Sequence, residues 1–197
     1  PPKAQELAPV LQAAIDVAMG TPGTMYTDPA SRIYDLDKFR ARTIEHLTAQ
    51  RDILNDLARN VPLPDQGAIL EIGLGNGRTY SHLRELFPSR RIIAFDRVLA
   101  AHASSTPGPE DLVLGEIAQT APAFAGQGAA VVHADIGTGY PEKDAVTLTW
   151  LPDLTAALLA PGGVAISGLP LAHAALTPLP LPPGIESERY FLYRRQA

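Results

Sequence analysis

The stretch that decides the fold of this chain is Ala68-Ile69-Leu70-Glu71-Ile72-Gly73-Leu74-Gly75-Asn76-Gly77-Arg78. An apolar run with one acidic residue leads into three alternating glycines, and a helix-compatible segment follows until Pro88. The pattern predicts a buried strand that feeds a tight turn and then opens a helix. Glycine lets the backbone bend sharply and approach a ligand, and the first N–H groups of the helix are free for polar or anionic ligand atoms.

The sequence on the carboxyl side of this unit alternates strand and helix. Short apolar or β-branched runs predict further strands at 91–96, 112–116, 129–135, 161–167 and 188–194. This alternation indicates an α/β fold with a doubly wound, mostly parallel sheet. The segment before the last strand is rich in proline and poor in helix formers, so a helix is reduced or missing there, and a strand near 176–181 stays open.

Asp96 ends the second predicted strand. In α/β nucleotide-binding folds, an acid about 20 residues after the glycines hydrogen-bonds ribose hydroxyls. The spacing after Gly77 therefore favours a ribose-binding role for Asp96. An ordinary acid at a strand end is the alternative.

The spacing Glu-x-Gly-x-Gly-x-Gly at 71–77 resembles the first motif of class I S-adenosylmethionine (SAM) dependent methyltransferases. It differs from the Gly-x-Gly-x-x-Gly of dinucleotide binders. The Leu-Leu-x-Pro-Gly-Gly of 158–163 is similar to a frequent companion motif, and the resemblance covers about residues 66–168 plus the final strand. It extends to a group of short bacterial methyltransferases that are classed by sequence. It implies a Rossmann-like fold whose last strand is inserted antiparallel, and SAM as the cofactor with S-adenosylhomocysteine as its product.

The same resemblance implies a set of cofactor-binding residues. Glu71 would organise the methionine end of SAM, Gly73 and Gly75 would admit the cofactor, and Gly77 would let the helix pack on the strand. The full set is Glu71, Gly73, Leu74, Gly75, Asn76, Gly77, Asp96, Arg97, Glu116, Ile117 and Asp135. Two members have a structural alternative, because Asn76 and Glu116 each precede a predicted helix and could cap it instead.

Methyl transfer from a sulfonium needs mainly alignment, and a general base is needed only when the acceptor must lose a proton. The predicted catalytic residues are Asp135 and His133, at the tip of the fourth strand, and Tyr34, which could close over the acceptor. His133 lies inside an apolar run, so a hydrogen-bonded core histidine is its alternative. No metal site is predicted, because the Asp-Asp-Asn set of catechol-type enzymes lacks an asparagine after the fourth strand.

Residues 1–62 are predicted to form a helical extension, and residues 63–197 the SAM-binding part of a single structural domain. Helical spacing is visible at 4–19 and from about 34 to 59. The second helix would have Leu36, Phe39, Leu47, Leu54 and Leu57 on its apolar face, with Ile44 and Ile53 at its edge. In the superfamily that the chain resembles, such extensions form a lid, a substrate pocket or a dimer contact, so the extension could form a homodimer contact. Alternatively, it only packs against the sheet.

Composition sets the class of the protein. The chain has 197 residues, 46% of them apolar and 19% charged, which suits one globular domain. A net charge of −5 argues against a nucleic-acid partner. The absence of cysteine excludes a thiol nucleophile and fits a cytoplasmic protein. The uncharged run 154–185 is broken by prolines and glycines, so no membrane partner is predicted.

Motifs that are missing from the sequence reduce the number of acceptor classes that fit the chain. The fourth strand is not followed by the Asn/Asp-Pro-Pro-aromatic tetrad of amino-methylating DNA enzymes, and no Pro-Cys nucleophile exists. A small molecule is therefore the predicted acceptor, and a protein acceptor is the alternative. Two other readings stay open, namely a SAM enzyme that transfers a different group and a SAM-binding regulatory or scaffold protein. The glycine spacing disfavours an NAD-type dehydrogenase.

Overall fold

A computed structural model describes the backbone of residues 36–196 and the side chains of residues 43–196. The predicted helix at 4–19 and the predicted catalytic residue Tyr34 lie outside the described residues. From Glu45 to the end of the described chain the residues form one compact unit. The predicted division of the chain at residue 62 stays a prediction.

Strands and helices alternate along the described chain. The strands are β1 (Ile69–Ile72), β2 (Ile92–Asp96), β3 (Leu112–Leu114), β4 (Ala129–Ala134), β5 (Leu159–Ser167), β6 (Leu176–Leu179) and β7 (Phe191–Arg195). The α-helices are α1 (Leu36–Asn60), α2 (Arg78–Leu86), α3 (Ile117–Thr120), α4 (Pro141–Leu148) and α5 (Leu151–Leu158). Short 3₁₀ turns lie at Ala103–Ser105 and Ala121–Phe124.

The strands form one sheet in the order β3-β2-β1-β4-β5-β7-β6. The strands β1 to β5 pair in parallel, whereas β7 runs antiparallel to both β5 and β6. This topology confirms the predicted doubly wound fold with an antiparallel last strand. The open strand near 176–181 exists as β6, and the described residues 168–175 before it contain no helix, as the prolines indicated.

Apolar side chains cover both faces of the sheet, as expected for strands flanked by helices on either side. On one face Ile69 and Val131 pack with Leu57 of α1 and Leu83 of α2. On the other face the core contains buried residues of β1, β2, β4 and α5: Ile72, Phe95, Val132, Leu151 and Leu158. No helix within residues 36–196 is long and apolar enough to cross a membrane.

The buried face of α1 agrees with the prediction at Leu54 and Leu57 and differs from it at Ile53 and Leu47. Ala49, Ile53, Leu54 and Leu57 are buried against the sheet, whereas Leu47 keeps 37% of its surface exposed. Ile53 therefore belongs to the centre of the face rather than its edge. Leu47 precedes Leu54 by two turns and lies on nearly the same side of the helix, so its exposure comes from its place nearer the start of α1 and not from rotation. The side chains of Leu36 and Phe39 lie outside the described residues.

Two leucines of α1 test this assignment with the same chemical change. We expect Leu54→Ala to lower the free energy of unfolding by about 3 kcal/mol, because it opens a cavity in a core position that is 1% exposed. Leu47→Ala is the matched control and should cost less than about 1 kcal/mol. Urea unfolding of both variants checks the expectation, and equal losses would contradict it.

Candidate active site

The glycine turn lies where β1 meets α2. Gly73, Gly75 and Gly77 have φ angles of +92°, +52° and +81°, a region that side-chain-bearing residues rarely occupy. The amides of Gly73 and Leu74 both donate to the carbonyl of Phe95 in β2, at 2.9 and 3.0 Å. The turn is therefore fastened to the carboxyl end of the neighbouring strand, the edge at which parallel α/β sheets bind ligands.

The surroundings of the glycines differ. A Cβ added to Gly77 would lie 2.6 Å from Ser105, so this position packs too closely for any side chain. A Cβ on Gly75 would meet no heavy atom within 4 Å. Since Gly75 has both a left-handed backbone and open space beside it, a ligand can approach the chain closely at this point.

Asp96 connects the turn to the tip of β2. Its Oδ2 accepts a hydrogen bond of 2.7 Å from the amide of Gly75, and its Oδ1 accepts from the amide of Arg97 at 2.7 Å. The predicted acid thus lies directly beside the open glycine. Arg97 contributes its backbone there, while its side chain is exposed to solvent.

The other predicted cofactor residues divide into two groups. The Oδ1 of Asn76 accepts from the amide of Arg78 at 3.2 Å, as its helix-capping alternative requires, and the side chain of Leu74 is buried in the core. Glu116 occupies the residue before α3, but its side chain makes no capping hydrogen bond there, and Ile117 is half-buried. Their roles toward a ligand stay predictions.

Glu71 and His133 form a charge pair inside the protein. They face each other in the register of β1 and β4, with 2.8 Å between Glu71 Oε2 and His133 Nδ1, and both side chains are at least 98% inaccessible. The two atoms are not aligned as a hydrogen bond, and His133 Nε2 has no partner among the described residues. The His133 side chain is fully buried beside Glu71, so solvent does not reach its ring. Its predicted catalytic role stays a prediction.

The pKa values of this pair follow from burial and mutual attraction. Burial raises the pKa of Glu71, and the charge of His133 opposes that rise only in part. For His133, burial acts to lower the pKa, but the carboxylates of Glu71 and Asp135 outweigh it, so the pKa is raised. A proton is therefore held firmly within the pair.

Asp135 lies two residues beyond His133, just after β4, and its carboxylate gathers donors from two other parts of the chain. Its Oδ2 accepts from His46 Nε2 at 2.9 Å, Gln50 Nε2 at 3.0 Å and Tyr190 Oη at 3.0 Å. We call these four residues the Asp135 cluster. The side chain of Asp135 is 20% exposed and that of His46 is 39% exposed, so the cluster opens to solvent on the His46 side.

Hydrogen bonds fix the charge state of the cluster. Burial alone would raise the pKa of Asp135, but the hydrogen bond from His46 and the charge of His133 lower it overall. Burial and the negative charge of Asp135 raise the pKa of Tyr190 far above its usual value. At neutral pH Asp135 is therefore ionised, and Tyr190 is protonated and donates to it.

Helix α1 and the residue before β7 supply the hydrogen-bond donors of the Asp135 cluster. His46 and Gln50 are four residues apart on α1 and so lie on one side of the helix. Tyr190 directly precedes β7, and its ring stacks on the ring of His46 with 5.2 Å between centroids and 28° between planes. Sequence reasoning missed His46, Gln50 and Tyr190 as site residues. The polar residues His46 and Gln50 on the side of α1 that carries Ala49 could have been found from the sequence. Tyr190 could not, because it is 55 residues from Asp135 and reaches it only in the folded chain.

The described residues contain no group of three or more His, Cys, Asp or Glu side chains arranged to hold a metal ion. The Asp135 cluster is instead satisfied by its own hydrogen bonds. What the site offers chemically is an ionised carboxylate, a phenol and a partly exposed imidazole, and the segment that carries the carboxylate packs against the glycine turn.

Comparison with known proteins gives matches that span most of the chain. The model of a family described as S-adenosyl-L-methionine methyltransferase matches residues 33–195. Among solved structures, the chain is similar to the S-adenosyl-L-methionine methyl transferase from Silicibacter pomeroyi DSS-3, with 37% identity and a TM-score of 0.69. That similarity covers 78% of this chain and 95% of that chain.

Other solved structures are more distant. The antibiotic-resistance methyltransferase Kmr is 12% identical with a TM-score of 0.49, over 75% of this chain and 93% of that chain. The Burkholderia thailandensis 1,6-didemethyltoxoflavin-N1-methyltransferase is 15% identical with a TM-score of 0.47, over 100% and 92%. No curated protein matches the chain.

The buried pair gives a prediction about stability and pH. We expect His133→Leu to cost about 3 kcal/mol of unfolding free energy, because it leaves the buried Glu71 carboxyl without its partner. The lone Glu71 then has a folded-state pKa raised above its unfolded value of about 4.3. A group of this kind loses its stabilising effect as pH rises, so the loss relative to wild type should be larger at about pH 7 than at about pH 5.

The double variant Glu71→Leu/His133→Leu is the control, since it removes both charges and keeps the site apolar. It should recover much of the stability that the single variant loses. Urea unfolding at the two pH values measures all three proteins. A double variant less stable than His133→Leu would contradict a coupled pair.

Proposed function

Because the chain belongs to the S-adenosyl-L-methionine methyltransferase family, we propose that it transfers the methyl group of SAM to a small-molecule acceptor and holds SAM against the glycine turn. The chain is a SAM-dependent methyltransferase, and SAM is its cofactor. The proposal adds the place of binding and the class of acceptor. The open space beside Gly75, with the Asp96 carboxylate at its edge, is the observation that carries it.

The cofactor fits the groups around the turn. Gly75 leaves room for SAM to approach the backbone, and the lone pairs of Asp96 that remain after its amide contacts can accept from ribose hydroxyls. Glu71 is too deeply buried to touch the cofactor directly. We infer that it acts on the methionine end indirectly, by holding the ends of β1 and β4 together.

Two features support a small acceptor. The polar groups proposed for the acceptor side, Asp135 and Tyr190, are largely buried, so they suit a molecule that enters the site rather than a macromolecular surface. The motifs of the nucleic-acid enzymes considered above are absent from the sequence, which is acidic overall. A homodimer and a cytoplasmic location stay predictions of the sequence.

SAM supplies an electrophilic methyl carbon on a positively charged sulfur. The protein contributes alignment, which can account for much of the rate acceleration in such a transfer. Transfer of a different group of SAM would use the same cofactor site. The mass of the product separates that reading from methyl transfer.

Titration calorimetry with SAM, S-adenosylhomocysteine and NAD tests the cofactor site. We expect the first two to bind and NAD not to bind. Asp96→Ala should weaken binding of both by at least about ten-fold, because the ribose loses its acceptor.

Asp111→Ala is the matched control. It removes a carboxylate that pairs with Arg91 at the amino ends of β2 and β3, away from the glycine turn. This variant should leave the affinity for SAM and S-adenosylhomocysteine unchanged. Wild-type affinity in the Asp96 variant would refute the proposed ribose site. No binding of either SAM or S-adenosylhomocysteine to the wild type would refute the proposed cofactor site.

A further inference from the structure

We propose that His46 is the general base of this enzyme and that the acceptor reacts through an atom that carries a proton, namely a hydroxyl or a ring N–H. The inference rests on the proposed function above and deepens it, because it assigns the proton transfer and the acceptor class. It starts from the hydrogen bonds of the Asp135 cluster, which determine which nitrogen of His46 is basic.

The tautomer of His46 follows from its partners. Its Nε2 lies 2.9 Å from Asp135 Oδ2 and 3.0 Å from Tyr190 Oη. An ionised carboxylate only accepts, and the single proton of Tyr190 is directed to the same oxygen, so Nε2 must be the donor. In a neutral imidazole the other nitrogen, Nδ1, is then the unprotonated one.

Nδ1 is free to act. No described residue hydrogen-bonds to it, and the His46 side chain is 39% exposed while its Nε2 edge is held by the cluster. Stacking on Tyr190 fixes the plane of the ring. His46 is thus an oriented imidazole whose basic nitrogen is not engaged by the described protein.

The cluster is adjacent to the glycine turn. A Cβ added to Gly73 would lie 2.5 Å from Ile136 Cγ2 and 3.9 Å from the carbonyl oxygen of Asp135. The carboxylate that orients His46 therefore belongs to the segment packed on the turn that we propose holds SAM. We therefore infer that the acceptor is held on the side of the turn where Asp135 packs, with His46 as its proton acceptor.

The other groups of the cluster are poor bases. Asp135 accepts three hydrogen bonds and has a lowered pKa, and Tyr190 keeps its proton because its pKa is raised. Gln50 has no basic atom. His46 is the one member of the cluster with a basic nitrogen that no described residue engages, and the Asp135 carboxylate stabilises the imidazolium that forms when this nitrogen accepts a proton.

The step is balanced as follows. A lone pair of the acceptor oxygen or nitrogen forms a bond to the methyl carbon, and the carbon–sulfur bond breaks with its electron pair left on sulfur. The proton of the acceptor moves to Nδ1 of His46, and solvent removes it later. An acceptor without a proton on the reacting atom needs no such base, which is why the assignment selects hydroxyl and ring N–H compounds.

Several charged groups surround the imidazole. The Asp135 carboxylate, just after β4, contacts the imidazole of His46, and the ring of Tyr190 stacks on it. The buried pair of Glu71 and His133 lies on the neighbouring strands β1 and β4. The Arg189 guanidinium, one residue before Tyr190, pairs with Glu45 of α1 and with Glu186. Among these groups the Asp135 carboxylate is in direct contact with the imidazole, and it attracts the positive charge that His46 gains with a proton.

The test uses the full chain with SAM that carries a deuterated methyl group, and mass spectrometry to detect products. Proton-bearing probes are phenol, 8-hydroxyquinoline and uracil, in which the reacting O–H or N–H stays protonated near neutral pH, and probes without a proton on the reacting atom are pyridine and N,N-dimethylaniline. We expect methylation within the first set only. His46→Gln should lower kcat/KM by about 100-fold or more and leave SAM affinity unchanged.

Matched variants separate a base from a structural histidine. His82→Gln removes another half-buried histidine of the same face, which contacts Asn55 of α1, and should keep full activity. Added imidazole should partly restore His46→Ala, which a purely structural role would not allow. Asp135→Asn offers a second approach, since its amide can donate to Nε2 and so place the proton of His46 on Nδ1, and it should also lose activity.

The outcomes are distinct. The proposal is overturned if His46→Gln keeps wild-type turnover, if the probes without a proton are methylated as well as the others, or if a SAM-binding enzyme turns over none of the proton-bearing probes. Failure of the wild type to bind SAM would instead overturn the proposed function.

Discussion

The carboxylate of Asp135 is the constraint on which the site depends. A half-buried negative charge is costly unless donors surround it, and here they come from α1 and from the residue before β7. Its position after β4 fixes where those two elements must lie. The hydrogen bonds from His46 and Tyr190, together with the charge of His133, keep Asp135 ionised, and the carboxylate in turn orients His46. The interactions that stabilise this part of the fold therefore also arrange the proposed catalytic groups.

The two halves of the site meet between β1 and β4. Gly75 and Asp96 form the proposed cofactor side, while the Asp135 cluster forms the proposed acceptor side. The contact of Gly73 with Ile136 joins them, because the turn after β1 packs on the segment after β4. Methyl transfer depends on alignment, and this short path from one half to the other makes their relative position rigid.

The sequence predicted what local pattern encodes. The strands, the glycine turn and Asp96 at the tip of β2 follow from periodicity and spacing, and the structure has them at those places. The partners of Asp135 could not be predicted, because Tyr190 reaches it only through the tertiary fold. The extent of the buried face of α1 was also hidden, because Leu47 and Leu54 lie on nearly the same side of the helix and only packing against the sheet buries Leu54 and leaves Leu47 37% exposed.

The buried Glu71–His133 pair connects strand register to function. In a sheet, a slip of one residue turns each side chain to the opposite face, so the pair forms only when Glu71 lies opposite His133. The same slip would move Asp135 away from His46, Gln50 and Tyr190 and would leave charges unpaired on both faces. Two charges that add little net stability by themselves therefore make the wrong register costly. The Glu71–His133 pair therefore favours the strand register in which the segment carrying Asp135 packs beside the glycine turn.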